Sequence, residues 1–340
     1  MSEAIFPLLG TALVVLVVLP GSALVTKLLL LLSERHTSGG PLHGLTPRYV
    51  LLLASSALPL LWFLSAGLHQ LESPSIALAC LLDHQTAALC FEPGLFAVAL
   101  GLTALVLALP ALSLGRRYPE DDSAAPASLR ARLHRLLNTH AEVAELRGRL
   151  RVTSAPGFAL GTCGLWRPQV VVAVAFAARL RDTELASALG HELQHVRALD
   201  PLRYLLLRVA LAVNPIGRRL LEPHADAWRA AREAHCDREA VLAGARPLCL
   251  AEALVTAARP LPVDVVALGA RDTALLRLRV QMLVAFSEAP PRRCCQRGPS
   301  SIPLALVLLL AALLLPHQAG TAALDALHQG AEYPFIYFYP

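Results

Sequence analysis

The chain has 340 residues, of which 55% are hydrophobic and only 16% are charged, and its mean hydropathy is +0.53. A soluble domain of this length carries about 25% charged residues, so the composition argues against an ordinary soluble protein. The net charge of +5 does not point to nucleic acid, because the arginines are scattered and no aromatic stacking pattern accompanies them.

The charge deficit is concentrated in four blocks. "IFPLLGTALVVLVVLPGSALVTKLLLLL" (5–32), "VLLLASSALPLLWFLSAGL" (50–68) and "LFAVALGLTALVLALPALSL" (95–114) are long enough to span a bilayer, and "SIPLALVLLLAALLLP" (301–316) is only just so. "MSEA" ahead of the first block has no Lys or Arg, so that block reads as an uncleaved span rather than a signal peptide. Pro20 and Gly21 inside it are tolerable where neighbouring helices cover the freed backbone. The loop after span two and the tail 317–340 contain no Lys or Arg. Arg35, Arg48 and "GRR" flank the first three spans on the other side, and "PRRCCQR" precedes the fourth. The bias places the N-terminus and the tail outside and residues 116–300 in the cytoplasm, as expected for a multi-pass protein of the cell inner membrane. Cys80 and Cys90 fall outside, where a disulfide would persist; two small buried side chains are an equal alternative. Cys163, Cys236, Cys249, Cys294 and Cys295 fall on the reducing side without C-x-x-C spacing and read as free thiols.

Within 116–300, "YPEDDSAAPAS" (118–128) reads as a linker. Leucines at helical spacing predict a helix from about Leu129 to Leu146. Short β-branched runs broken by Gly and Pro then predict two or three strands, the last being "QVVVAVAF" (169–176). "RDTELASALGHELQHVRAL" (181–199) predicts a helix capped by Asp182 or Thr183, with Glu184 in its first turn. "DPLRYLLLRVALAVNP" is a further apolar helix, too charged for a span and so buried or lying at the membrane surface. "PHADAWRAAREAHCDREAVLAG" is a long helix ended by Gly244, and the remainder to about 290 is helical with a Pro-rich break at 260–262.

The chemistry is concentrated in "HELQH". Spacing of four puts His191 and His195 on one helix face, one turn apart, so both imidazoles can reach one ion. Glu192 then projects beside the metal, placed to take a proton from a water that zinc acidifies. With 12 His in the chain, the pattern arises by chance about 0.02 times, which makes it fairly specific on a helix. The plain alternative is a partly buried helix whose histidines are satisfied by local hydrogen bonds, at a cost if no metal is present. A third ligand is needed, and "REAHCDREA" offers Glu233, with Asp237 one turn on to hold a ligand histidine through its other ring nitrogen. A solvated Glu/Asp/Arg face is the alternative there. His224 and His235 are rival ligands. Asp200 either supports the site or caps the helix that follows, and a cap ahead of Pro201 is the favoured use.

"HELQHVRALD", "NP" at 214–215 and "REAHCDREAVL" together resemble the BlaR/MecR family of membrane-embedded zinc peptidases. The order of three spans, an inserted domain and a fourth span is similar too, as is "SAPGFALGT" ahead of the active-site helix. The resemblance covers roughly residues 1–318, with specific motifs only in 154–241. It implies a mostly α membrane protein of about four spans with an inserted α+β gluzincin-like peptidase domain. It implies Zn2+ held by His191, His195 and Glu233, with Glu192 as general base. Only the short tail 317–340 follows the fourth block, so the β-lactam sensing of the best-known members is not expected. The expected activity is a zinc endopeptidase cutting on the cytoplasmic side, acting on a repressor-like regulator or on itself. A quality-control protease of the HtpX type and a catalytically silent membrane transducer are the alternatives. The expected partners are a protein or peptide substrate, the lipid bilayer, a cytoplasmic repressor and a second copy in a homodimer, with nucleic acid excluded.

Overall fold

The computed structural model describes residues 5–36, 45–69, 93–113, 126–155, 158–259, 270–289 and 291. Among these the chain is mostly helical, with one small sheet. The fourth apolar block, the tail, the 70–92 loop with Cys80 and Cys90, the Pro-rich break at 260–262, and Cys294 and Cys295 lie outside the described residues.

The chain divides into two units, one of residues 1–115, 205–227 and 299–340, the other of 116–204 and 228–298. In the first, α1 (Ile5–Leu13) runs through a π-helical turn (Val14–Val18) into α2 (Leu19–His36). Pro20 has no N–H to give the preceding turn, which accounts for the irregular backbone just before it. α3 (Leu45–His69) and α4 (Pro93–Ser113) follow. Two helical stretches, Leu8–Glu34 and Leu45–Leu64, are long and apolar enough to cross a membrane, whereas the corresponding stretch of α4, Leu95–Pro110, is shorter. Val14, Leu19, Phe63, Phe96 and Leu100 form the core of this unit, with Phe63 and Phe96 edge-to-face at 6.3 Å. Buried polar side chains satisfy backbone carbonyls between its helices. Asn214 Nδ2 donates to Leu19 O at 2.6 Å and Ser56 Oγ to Ala210 O at 2.6 Å. Many large apolar side chains nevertheless remain exposed, among them Leu16, Val17, Leu24, Val25, Leu102 and Val106.

The second unit begins with α5 (Ala127–Thr139) and a 3-10 turn (Ala141–Leu146). The single helix expected over 129–146 is therefore broken at His140, whose backbone is extended. β1 (Leu150–Thr153), β2 (Leu160–Cys163) and β3 (Gln169–Ala173) form a sheet in the order β1-β3-β2. β1 runs parallel to β3 (Val152 opposite Val172), and β2 is the antiparallel edge (Gly161 opposite Val171). Gly164 (φ +93°) makes the β2–β3 turn, where a Cβ would meet Arg167 O at 2.8 Å. The last strand stops at Ala173, because the alanine-rich "VAFAAR" folds as α6 (Val174–Arg179), the conformation alanine prefers.

α7 (Asp182–Ala198) carries "HELQH". Its start is set by Arg181 rather than Asp182 or Thr183. Glu184 reaches back to accept from the Arg181 backbone N–H at 2.8 Å, and Asp182 instead pairs with Arg132 at 2.6 Å. Leu185, Leu189 and Leu193 lie four apart and fully buried, in one core with Val170, Val172 and Phe176. At 100° per residue, His191 and His195 therefore lie on the opposite side of the helix. α8 (Asp200–Val213) and α9 (Gly217–Leu242) follow, and α9 ends where Gly244 adopts φ +117°. α10 (Pro247–Ala258) and α11 (Ala270–Glu288) complete the second unit, with Leu250 and Leu283 packed against Ala240 of α9.

Candidate metal centre

The two histidines of α7 and the glutamate of α9 converge. His191 Nε2 lies 3.1 Å from His195 Nε2 and 3.4 Å from Glu233 Oε2, and His195 Nε2 lies 3.5 Å from Glu233 Oε1. A tetrahedral zinc ion with bonds of about 2.0–2.1 Å separates its ligands by about 3.3–3.4 Å. The three donors thus already stand at the spacing one small ion requires, and the set of two nitrogens and one carboxylate suits its chemistry. His191 and His195 are buried at 5% and 6% exposure, while the Glu233 side chain keeps 26% of its surface. The group is therefore closed on the helix side and open on the Glu233 side.

Each imidazole is backed by a carboxylate at its other nitrogen. Asp237, one turn beyond Glu233, places Oδ1 2.8 Å from His191 Nδ1, a close contact that is off the line of an ideal hydrogen bond. Asp200 Oδ2 lies 2.7 Å from His195 Nδ1. This departs from the favoured cap role for Asp200, and its backbone cause is Leu199. That residue is left-handed (φ 55°), a conformation rare for leucine, and it turns the chain so that the residue five after His195 meets its ring. Arg232 holds the same Asp200 oxygen at 2.7 Å, and Arg203 donates to the other at 3.3 Å.

Burial works against every charge here, and the pairing outweighs it. Burial opposes protonation of His191, but Asp237 and Glu233 pull its pKa up to about 9. His195 is likewise raised well above the usual imidazole value, against burial, by Cys236, Asp200 and Glu233. Burial would raise the Glu233 carboxyl, yet hydrogen bonds and charge from the two histidines hold it well below the usual range. Asp200 and Asp237 are held down in the same way, by His195 with Arg232 and by His191 with Arg279.

Glu192 is 9% exposed, and its Oε2 accepts a hydrogen bond from Thr162 Oγ1 at 2.7 Å. The same hydroxyl lies 3.2 Å from the Glu192 carbonyl. Thr162 is on the edge strand β2, so the sheet aims the carboxylate. The neighbouring Cys163 thiol is pushed up to about 11 by burial and by the Glu192 charge. Tyr204 donates to Glu233 Oε1 at 3.3 Å.

A second group, His195, Asp200 and Cys236, also lies close enough to hold a metal. It uses the opposite nitrogen of His195, however, and Asp200 is already held there by Arg232 and Arg203. The first group uses Nε2 of both histidines, with Arg279 and Tyr204 beside its Glu233. Among the described residues, neither rival ligand is in a group that could hold a metal. His224 belongs to the other unit and pairs with Glu34 at 3.5 Å. His235 is pulled down to about 4 by burial and by Arg232 and Arg238, and it is in neither group. Thr162, Tyr204, Arg232 and Arg279 were not singled out from the sequence. Thr162 closes the "SAPGFALGT" stretch and Arg232 lies on the Glu/Asp/Arg face beside Glu233, whereas Tyr204 and Arg279 lie outside the motifs.

In comparison with known proteins, no family model, curated protein or solved structure matches this chain.

Proposed function

We propose that the chain is an integral-membrane zinc endopeptidase. The observation that carries the reading is the triangle of His191 Nε2, His195 Nε2 and the Glu233 carboxylate, with the Glu192 carboxylate on the residue next to the first ligand. His191, His195 and Glu233 would hold the ion. When bound, zinc supplies the Lewis acidity that polarises a peptide carbonyl and acidifies a water. Glu192 takes a proton from the attacking water and delivers it to the leaving amine, with Thr162 fixing the oxygen that does so. Asp237 and Asp200 keep the two imidazoles in the tautomer that presents Nε2 to the ion.

Membrane integration is supported by the two long apolar helices and by the leucines and valines they leave exposed, a pattern that costs little only against lipid. α4, at 21 residues, reaches about 31 Å as a helix, which fits a third span; the fourth expected from the sequence, 301–316, lies outside the described residues. The Lys/Arg bias puts the zinc-binding unit in the cytoplasm, where a repressor-like regulator or a second copy of the chain is within reach as substrate.

The test is Glu192→Gln in the detergent-purified full chain, read by zinc content and by cleavage of a peptide library. The variant is expected to retain zinc and lose turnover by about 100-fold or more. Turnover equal to wild type overturns the mechanism. Zinc-loaded wild type without turnover favours the silent transducer.

A further inference from the structure

One buried cation at the centre belongs to no recognised motif. Arg279 lies on α11, 42 residues beyond Asp237, and its side chain is only 11% exposed. Val280 and Leu283 pack with Ala240 and Leu250, which anchors α11 beside α9. The guanidinium meets Asp237 as a two-pronged fork, Nε donating to Oδ2 at 2.7 Å and Nη2 to Oδ1 at 2.8 Å. Its third nitrogen, Nη1, lies 3.1 Å from Glu233 Oε2. Nη2 is also 3.5 Å from His191 Nε2.

One planar group therefore touches both carboxylates that touch His191, one at each ring nitrogen. Simple neutralisation of buried Asp237 would be met by any cation. The geometry does more, because the fork sets the plane of the Asp237 carboxylate, as a lysine's point charge would not. The third nitrogen then restrains Glu233, whose other oxygen is held by Tyr204. A glutamate side chain otherwise has several rotamers to lose on binding an ion.

We propose that Arg279 is a positioning residue of the metal centre, locking Asp237 and Glu233 into one frame so that His191 and Glu233 meet the ion preorganised. This rests on the metal reading above. It makes α11 part of the centre although α11 supplies no ligand.

The test compares Arg279→Gln and Arg279→Lys with wild type, using Arg277→Gln, exposed on the same helix, as control. Full-length protein in detergent is titrated with zinc against a competing chelator, and its Co2+ absorption spectrum and thermal midpoint are recorded. Arg279→Gln is expected to weaken zinc about 10–100-fold. Arg279→Lys keeps the charge but restores only part of the affinity and shifts the Co2+ spectrum, while Arg277→Gln behaves as wild type. Wild-type affinity and spectrum in Arg279→Lys would reduce the guanidinium to a counter-ion, wild-type affinity in Arg279→Gln would leave it no part in metal binding, and tighter binding would make it a competitor of the metal. Each of these results overturns the proposal. Should Arg279→Gln fail to fold, the lysine variant decides alone, since wild-type affinity and spectrum in it also overturn the proposal. A wild-type chain that takes up no zinc overturns the metal reading itself, and is recognised before any variant is compared.

Discussion

Asp200→Ala separates two uses of one residue by magnitude. A helix cap lost to alanine costs about 1 kcal/mol. Asp200, however, is fully buried and bonds His195 Nδ1 at 2.7 Å, Arg232 Nε at 2.7 Å and Arg203 Nη1 at 3.3 Å. Removing the anion strands buried guanidinium groups, and breaking a buried pair by deleting one partner costs about 3–5 kcal/mol. At about 2–4 °C per kcal/mol for a domain of this size, the thermal midpoint should fall by about 6–20 °C, against about 2–4 °C for a lost cap. The assay is thermal unfolding of the metal-free protein in detergent, followed by circular dichroism. Zinc titration of the same variant should show affinity weakened about 10–100-fold, because His195 loses the partner that orients it. A midpoint drop of only 2–4 °C with unchanged zinc affinity would refute the buried-cluster argument and restore the cap.

Two further outcomes follow from the same geometry. His191, raised to about 9 in the fold from about 6.5 when unfolded, stabilises the metal-free protein fully below pH 6.5, and that stabilisation is lost as pH rises through about 9. Zinc needs both rings neutral, and His195 is raised as well, so its affinity should climb by about tenfold per pH unit for each histidine that gives up a proton; chelator competition and metal-free midpoints from pH 6.5 to 9.5 check both trends, and two flat profiles would refute the pairing. Gly190→Ala should stabilise the protein by about 0.5–1 kcal/mol, because the added Cβ meets Ala245 and Val143 only at 3.7 and 3.9 Å; denaturant unfolding reads it, and a loss of stability would mean the α7 environment is tighter than these distances.

The parts of the centre that were legible in the sequence share one property: they repeat at the period of a helix. His191 and His195 are four apart, as are Glu233 and Asp237, so each pair declares a common face before any tertiary contact is known. The strands were legible by their β-branched runs, but the end of the last one was not. "VVVAVAF" favours a strand locally, and its second half becomes helical in a stretch rich in alanine. The single helix expected over 129–146 failed for a similar reason, since one extended residue, His140, interrupts leucines whose spacing stays helical. Asp200 was visible with two competing uses, because an acid ahead of proline at a helix start is also a cap signature. The left-handed backbone of Leu199 decides between them, and nothing about a leucine announces that conformation.

Arg279 was not legible at all, and the reason is physical. Its partners lie on α9 and α7, and no periodicity within α11 refers to them. What the centre does have is a repeated logic of charge: Asp200 is shared between His195 and Arg232, and Asp237 between His191 and Arg279. Such buried pairs contribute little net stability, since well-packed apolar side chains of similar volume serve as well or better. Their presence around these two histidines is therefore hard to attribute to folding. It is accounted for if each carboxylate must stay ionised, aligned by a guanidinium on one side, in order to hold an imidazole on the other with Nε2 turned toward Glu233.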